Sequence, residues 1–214
     1  MMSRSEFVQA PRLATWLINL FTPVEDPESI LGDLLEEFSE LGSKSGVAFA
    51  RRWYWRQTIR TIAHLAGSGF RAAPWSTTAA VVGGFLLGKF VSGLPDKLLS
   101  AVTDRYLVYW SAHFKFYMFW ATDGMLIAHL LLSMFVGGLV ALAAKGREML
   151  ATMALGLVLC AMGAATCVVM VARTGDPAFL RMLALQFADS FAMAIGGLIV
   201  RRRRIATASL PSKT

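Results

Sequence analysis

The sequence predicts an all-α, polytopic membrane protein: a small cytosolic helical head followed by a four-helix transmembrane bundle. Two features of composition and one of position predict it. Of 214 residues, 56% are hydrophobic and 16% charged, against roughly 45–50% and about 25% in soluble domains. Mean hydropathy is +0.54. The apolar excess lies almost wholly after residue 76, in runs long enough to cross a bilayer; a helix needs roughly 20 residues for a core of about 30 Å. A disordered chain, a coiled coil and an ordinary soluble domain are excluded. Two cysteines and eighteen glycines exclude a disulfide scaffold and a collagen.

The head, residues 1–70, comes first. Arg4 and Arg12 precede the apolar run Leu13–Phe21, as in a signal peptide. That run is short, broken by Thr15 and Asn19, and followed by acids instead of a small-residue cleavage site. It reads as an amphipathic helix with Pro11 at its start and a stripe of Leu13, Trp16, Leu17, Leu20 and Phe21, stopped by Pro23. Asp26-Pro27-Glu28 is a helix start, with Asp as N-cap and Pro at N1. Ile30, Leu31, Leu34, Leu35, Phe38 and Leu41 give this second helix an apolar face, and Gly42 fits its C-cap. A third helix is expected over about Val47 to Leu65, with a stripe of Trp55, Ile59, Ile62 and Ala66, broken by Gly67-Ser68-Gly69. Its run Arg51-Arg52-Trp53-Tyr54-Trp55-Arg56 mixes guanidinium and aromatic groups. Such a mixture suits a lipid interface, or else the aromatics complete a three-helix core.

Four apolar spans follow, over about Thr77–Leu94, Phe116–Ala144, Met149–Ala172 and Phe179–Val200, making residues 77–200 the transmembrane domain. The first is short, holds Lys89 and is ended by Pro95. The segment 96–115 is too polar to span. Asp96 can cap a helix there, with Leu98, Leu99, Val102, Tyr106, Tyr109 and Trp110 on its apolar face. Eight of the fifteen residues from Tyr106 to Trp120 are aromatic, as in the aromatic belt of a membrane surface; a pocket for a lipophilic ligand is the alternative. Residues 201–214 form a basic tail, with Arg201, Arg202, Arg203 and Arg204 at its start.

Charge sets the orientation. Lys and Arg number 21 against 14 Asp and Glu, a net +7. Seven acids and no base lie between Leu13 and Ser43; six bases and no acid lie between Lys44 and Ala73. Positive charge beside apolar spans marks cytosolic helix ends, not nucleic-acid binding. With both termini inside, the cytosolic side gathers Arg51, Arg52, Arg56, Arg60, Arg71, Lys145, Arg147 and Arg201–Arg204. The outer side holds Lys97, Arg105, Lys115 and Arg173, partly offset by Asp96, Asp104 and Asp176. This places the chain in the cell inner membrane, in contact with lipid through Arg51, Arg52, Trp53, Trp55, Arg56, Tyr109, Trp110 and Arg201–Arg204.

Ionisable groups inside a bilayer are functional candidates by default. Here they are Lys89, Asp123, His129 and Asp189. Lys89 and Asp123 lie about 7 Å and about 10 Å from the outer ends of their helices, at 1.5 Å per residue. Their similar depth permits an ion pair between them, either fixing the packing of the first two spans or serving transport. Asp189 lies about 15 Å in, and a contact with His129 is expected, as a proton relay or a helix–helix hydrogen bond. Small residues at i, i+4 spacing (Gly84 and Gly88, Ser133 and Gly137, Ala188, Ala192 and Gly196) allow close helix approach, within a bundle or a homo-oligomer. Cys160 and Cys167, about 10 Å apart along one helix, are too distant for a disulfide. There is no phosphate-binding Gly-Lys-Ser/Thr loop, no Gly-x-Ser-x-Gly elbow and no metal-ligand spacing among His64, His113 and His129. No catalytic residue, metal or cofactor is expected.

Three stretches of the head resemble a known family. Pro11-Arg12-Leu13-Ala14-Thr15-Trp16-Leu17, Ile30-Leu31-Gly32-Asp33-Leu34-Leu35-Glu36-Glu37-Phe38 and Ala50-Arg51-Arg52-Trp53-Tyr54-Trp55-Arg56-Gln57 are similar to the permease prefix domain of MacB-like ABC transporter permeases. The resemblance covers about residues 10–65. It implies a cytosolic regulatory or docking head, and it implies no catalytic residue. Such permeases continue into a long chain with a large extracytoplasmic domain, whereas four short-looped spans follow here, so their substrate handling does not carry over. The sequence is thus read as a non-enzymatic accessory or regulatory component associated with a transporter. The acids Asp33, Glu36, Glu37 and Glu40 are the expected docking face for a basic partner, with an ordinary solvated helix face as the alternative. A small secondary transporter or channel subunit using Lys89, Asp123 and Asp189 is the second reading.

Overall fold

The computed structural model describes residues 9–22, 27–176 and 178–208. Among them every element is helical. The chain divides into two compact units, Met1–Pro74 and Trp75–Thr214.

The head unit holds α1 (Arg12–Phe21), α2 (Pro27–Ser45) and α3 (Val47–Ala72). Its core is Ala14, Ile18, Leu34, Phe38, Ala50 and Tyr54, edged by Ile30, Leu31, Leu41 and Trp53. Tyr54 is fully buried. Its ring meets Phe38 edge-on, with centroids 5.4 Å apart. Its hydroxyl hydrogen-bonds Thr15 Oγ1 at 3.1 Å, so the polar end of the ring is satisfied inside the core.

The expected stripe of α3 is displaced by one residue, and that of α1 is kept only in part, with Leu20 buried as expected. On α1, Leu13 is 67% and Trp16 42% exposed, while Ala14 and Ile18 are fully buried. On α3, Trp55 and Ile59 are exposed, and the buried line is Ala50, Tyr54, Thr58. The cause is the same in both: Ala14 and Ala50 share the core, and small residues let backbones approach where bulky ones would hold them apart. The Trp53–Tyr54–Trp55 run is therefore divided. Tyr54 is core, Trp53 is half-buried and Trp55 is exposed.

Two expected helix ends also move. Helix α2 passes Gly42 and stops at Gly46, whose φ of +88° favours glycine. Ser43 Oγ donates to the Glu40 carbonyl at 2.8 Å in that extra turn. Helix α3 runs through Gly67-Ser68-Gly69 to Ala72. Interior glycine costs only about 1 kcal/mol against alanine. Ser68 Oγ bonds the Leu65 carbonyl and Arg71 Nε the Gly67 carbonyl there. Pro27 is the first residue of α2; Pro23 and the expected Asp26 cap lie outside the described residues.

The second unit holds α4 (Pro74–Ser92), α5 (Leu94–Arg105), α6 (Leu107–Ala112), α7 (Phe114–Phe119), a π-helical turn (Trp120–Gly124), α8 (Met125–Ala143), α9 (Glu148–Thr174) and α10 (Ala178–Ala208). Four stretches are long and apolar enough to cross a membrane: Pro74–Arg105, Phe114–Ala143, Glu148–Thr174 and Arg181–Thr207. This is a multi-pass membrane protein. Large apolar side chains cover its outside, among them Trp75 at 86% and Phe191 at 70% exposure, an arrangement suited to lipid and not to water.

Helix α10 is central, packing along both α8 and α9. A Cβ on Gly137 would lie 2.1 Å from the Met193 carbonyl oxygen, and one on Gly196 would lie 2.0 Å from that of Met134. These two glycines set the α8–α10 spacing. Gly84 does the same for α4 against Val140 and Leu155, whereas Gly88 meets nothing. Ala80, Val136, Val140, Ala144, Ala151, Leu155 and Met193 fill the core between them.

The segment 96–115 is not one helix: it holds the rest of α5, all of α6 and the start of α7, and α5 and α7 belong to the apolar stretches Pro74–Arg105 and Phe114–Ala143. Pro95 is the second residue of α5 instead of ending a span; Gly93 makes the break, and Asp96 lies in the first turn of α5, where an acid suits the helix dipole. The chain then stacks aromatics on itself: Tyr109 on His113, and Trp110 on Phe116. Helix α10 carries the arginine run onward to Ala208 as helix, so Arg201–Arg204 belong to the bundle's longest element.

Candidate functional site

A cavity of about 110 Å³ opens between four helices of the bundle. Helix α4 contributes Lys89 and Ser92, α8 contributes His129 and Ser133, and α10 contributes Gln186 and Asp189. Val91, Leu132, Val136, Leu159 and Met193 form its apolar wall. On α8 the spacing His129, Ser133, Val136 is one helical stripe, and on α10 so is Gln186, Asp189, Met193. The glycine contacts one turn further along hold these two stripes against each other.

Three of the four expected intramembrane groups, Lys89, His129 and Asp189, therefore share one wall. Their contacts differ from expectation. Asp189 Oδ1 accepts a hydrogen bond from Ser133 Oγ at 2.9 Å, not from His129. Ser133 lies one turn along α8 from His129 and on the same face. The His129 imidazole instead has Nε2 4.0 Å from Asp96 Oδ2 of α5.

Asp123 is not part of the site. It lies exposed on the π-helical turn and makes no ion pair with Lys89. It stands six positions before His129, roughly one and two-thirds turns of helix, and so on a different face. The Trp120 ring lies over Gly124, where a Cβ would meet it at 2.6 Å; the widened turn makes that overlap possible. Lys89 Nζ lies 5.8 Å from the Phe85 ring centroid.

Near the other end of α10 lies a group that sequence reasoning missed. Glu148, the first residue of α9, is buried. Its Oε1 accepts from the Gly146 N–H at 3.0 Å and pairs with Arg204 Nη1. Arg204 Nη2 also donates to the Leu142 carbonyl at 3.2 Å. Arg201 is buried and feels the same carboxylate, while Arg202 and Arg203 are exposed. The signal was available: Glu148 is the sole acid between Asp123 and Asp176, and a buried arginine needs an anion. Gly146, with φ of +81°, bends the α8–α9 connection around it.

On the head, Asp33, Glu36, Glu37 and Glu40 are all exposed on α2. Glu40 pairs with Lys44 one turn on, and that ammonium holds the Glu40 carboxyl below its usual range. On α3, Arg51, Arg52 and Arg56 are exposed beside Trp55, with Phe49 and Ile59 also outward. In the second unit Tyr109 is exposed and Trp110 is half-buried, its indole N–H donating to the Val102 carbonyl at 3.4 Å. Among the described residues no three or more His, Cys, Asp or Glu side chains gather as a metal site. Cys160 and Cys167 are free thiols; Cys160 Sγ lies 3.0 Å from Ser190 Oγ.

Comparison with protein families, characterised proteins and solved structures finds no match to this chain.

Proposed function

We propose that the chain is a non-enzymatic accessory or regulatory component of a transporter in the cell inner membrane, with both termini cytosolic. Its head is the docking module and its four apolar helices are the anchor. The observation that carries this reading is the construction of the head. It has a core of its own around Tyr54, and α2 presents Asp33, Glu36 and Glu37 outward with no ion pair among the described residues. A row of carboxylates on a rigid helix attracts a basic surface and rejects an acidic one. The resemblance of the head to a permease prefix domain supports the same role. Arg51, Arg52, Arg56 and Trp55 on α3 suit contact with anionic lipid. A photocrosslinker at Glu36 in native membranes tests the reading. A single product containing a transporter subunit or regulator is expected, lost when Asp33 and Glu37 are changed to Lys. Products unchanged by that charge reversal contradict it.

A second reading is favoured by one observation, the convergence of Lys89, His129 and Asp189 on one cavity. It makes the bundle a small secondary transporter or channel subunit. A proton-dependent flux in vesicles, abolished by Asp189→Asn, is its test.

A further inference from the structure

The cavity between α4, α8 and α10 has two features that bear on what fills it. Its lining includes a basic and an acidic residue: Lys89, exposed at its edge on α4, and Asp189, half-buried on α10. These two do not pair with each other, being more than 4.0 Å apart by their absence from the ion pairs of the described residues. Ser133 takes one oxygen of Asp189. The other oxygen, the Lys89 amine and the Gln186 side-chain amide make no hydrogen bond among the described residues.

Polar groups at bilayer depth are costly unless satisfied. An acyl chain leaves them all unsatisfied. A lone cation is opposed by Lys89, and a lone anion by Asp189. A solute carrying both charges meets both groups at once. The space also fits: on the scale where one water needs about 10–15 Å³, 110 Å³ holds several waters or one small organic molecule. Leu132, Val136, Leu159 and Met193 offer its hydrocarbon part an apolar wall.

We infer that this cavity is a binding site for a small zwitterionic solute of the amino-acid class. Its amine sits on Asp189, its carboxylate sits on Lys89, and Gln186 and His129 hydrogen-bond its polar groups. The inference rests on the second reading for the place of the site but not for movement of the ligand, and it is independent of the head's partner. Binding at equilibrium and flux in vesicles can fail separately.

The test is equilibrium dialysis of the full-length protein in nanodiscs against labelled glycine, β-alanine and γ-aminobutyrate, zwitterions of increasing charge separation. Acetate and methylammonium are the single-charge controls. Saturable binding of at least one zwitterion is expected, with both controls at least tenfold weaker. Lys89→Gln and Asp189→Asn should each weaken it at least tenfold with helix content and melting unchanged. Should Asp189→Asn melt early, Gln186→Ala replaces it, with a smaller loss of about threefold expected. The inference is overturned if no zwitterion saturates, if either control binds as well, or if Lys89→Gln and its partner variant bind like the wild type.

Discussion

Gly137 lies directly against the backbone of Met193: a Cβ at 137 would come within 2.1 Å of the Met193 carbonyl oxygen and 2.6 Å of its Cα. No rotation of a side chain relieves such a contact, because the opposing atoms are main chain. Gly137→Ala should therefore push α8 from α10, at a cost above the roughly 1–3 kcal/mol usual for overpacking. Gly88→Ala, on a glycine inside α4 that meets nothing, is the matched control and should be unchanged or stabilised by up to about 1 kcal/mol. Thermal melting in detergent, followed by circular dichroism, distinguishes them.

The Glu148 carboxylate ties α9 to α10 through Arg204. Removing one partner of a buried charge pair costs up to about 3–5 kcal/mol. Glu148→Gln should lower the melting point strongly. Arg202→Gln, on an exposed side chain, should leave it unchanged.

In the head, the core tyrosine and the exposed tryptophan make opposite predictions. Tyr54→Ala removes a buried aromatic and should cost about 3–5 kcal/mol, enough to unfold a unit of this size. Tyr54→Phe loses the Thr15 hydrogen bond alone, about 1 kcal/mol. Trp16→Ala should fall within about 1 kcal/mol of wild type, a surface change. Urea titration followed by helical circular dichroism measures all three.

The Glu40–Lys44 pair has a definite sign with pH. Its folded carboxyl titrates below the ordinary 4.5, so its contribution is present above that value and lost as pH falls through the lowered one. The carboxyl is fully exposed and water screens the pair. Glu40→Gln should accordingly show no difference from wild type in melting near pH 7, checked in the same assay at pH 7 and pH 3.

Helix class and span count were legible because apolar length is a strong signal. Phase was not. The head stripes on α1 and α3 were read from leucine and tryptophan, yet packing distance was decided by Ala14 and Ala50. Lys89, His129 and Asp189 were singled out as ionisable groups in apolar helices, and all three line one cavity, a grouping that spacing along single helices does not reveal. Depth alone misplaced Asp123, because the face it occupies depends on the π-helical turn at Trp120–Gly124. Ser133 was read for its small size, and its hydroxyl became the partner of Asp189. The expected breaks at Gly42 and Gly67 failed because interior glycine is tolerated, whereas Gly46 ends a helix by its positive φ.

The central claim is a bundle of four spans carrying a cytosolic head, and topology measures it most directly. Single cysteines at Gly42, Asp104, Lys145 and Gly175, in a chain with Cys160 and Cys167 changed to Ala, are exposed to a membrane-impermeant maleimide on intact cells. The account predicts labelling at Asp104 and Gly175, with Gly42 and Lys145 labelled only after the membrane is opened. Labelling of Gly42 in intact cells contradicts it.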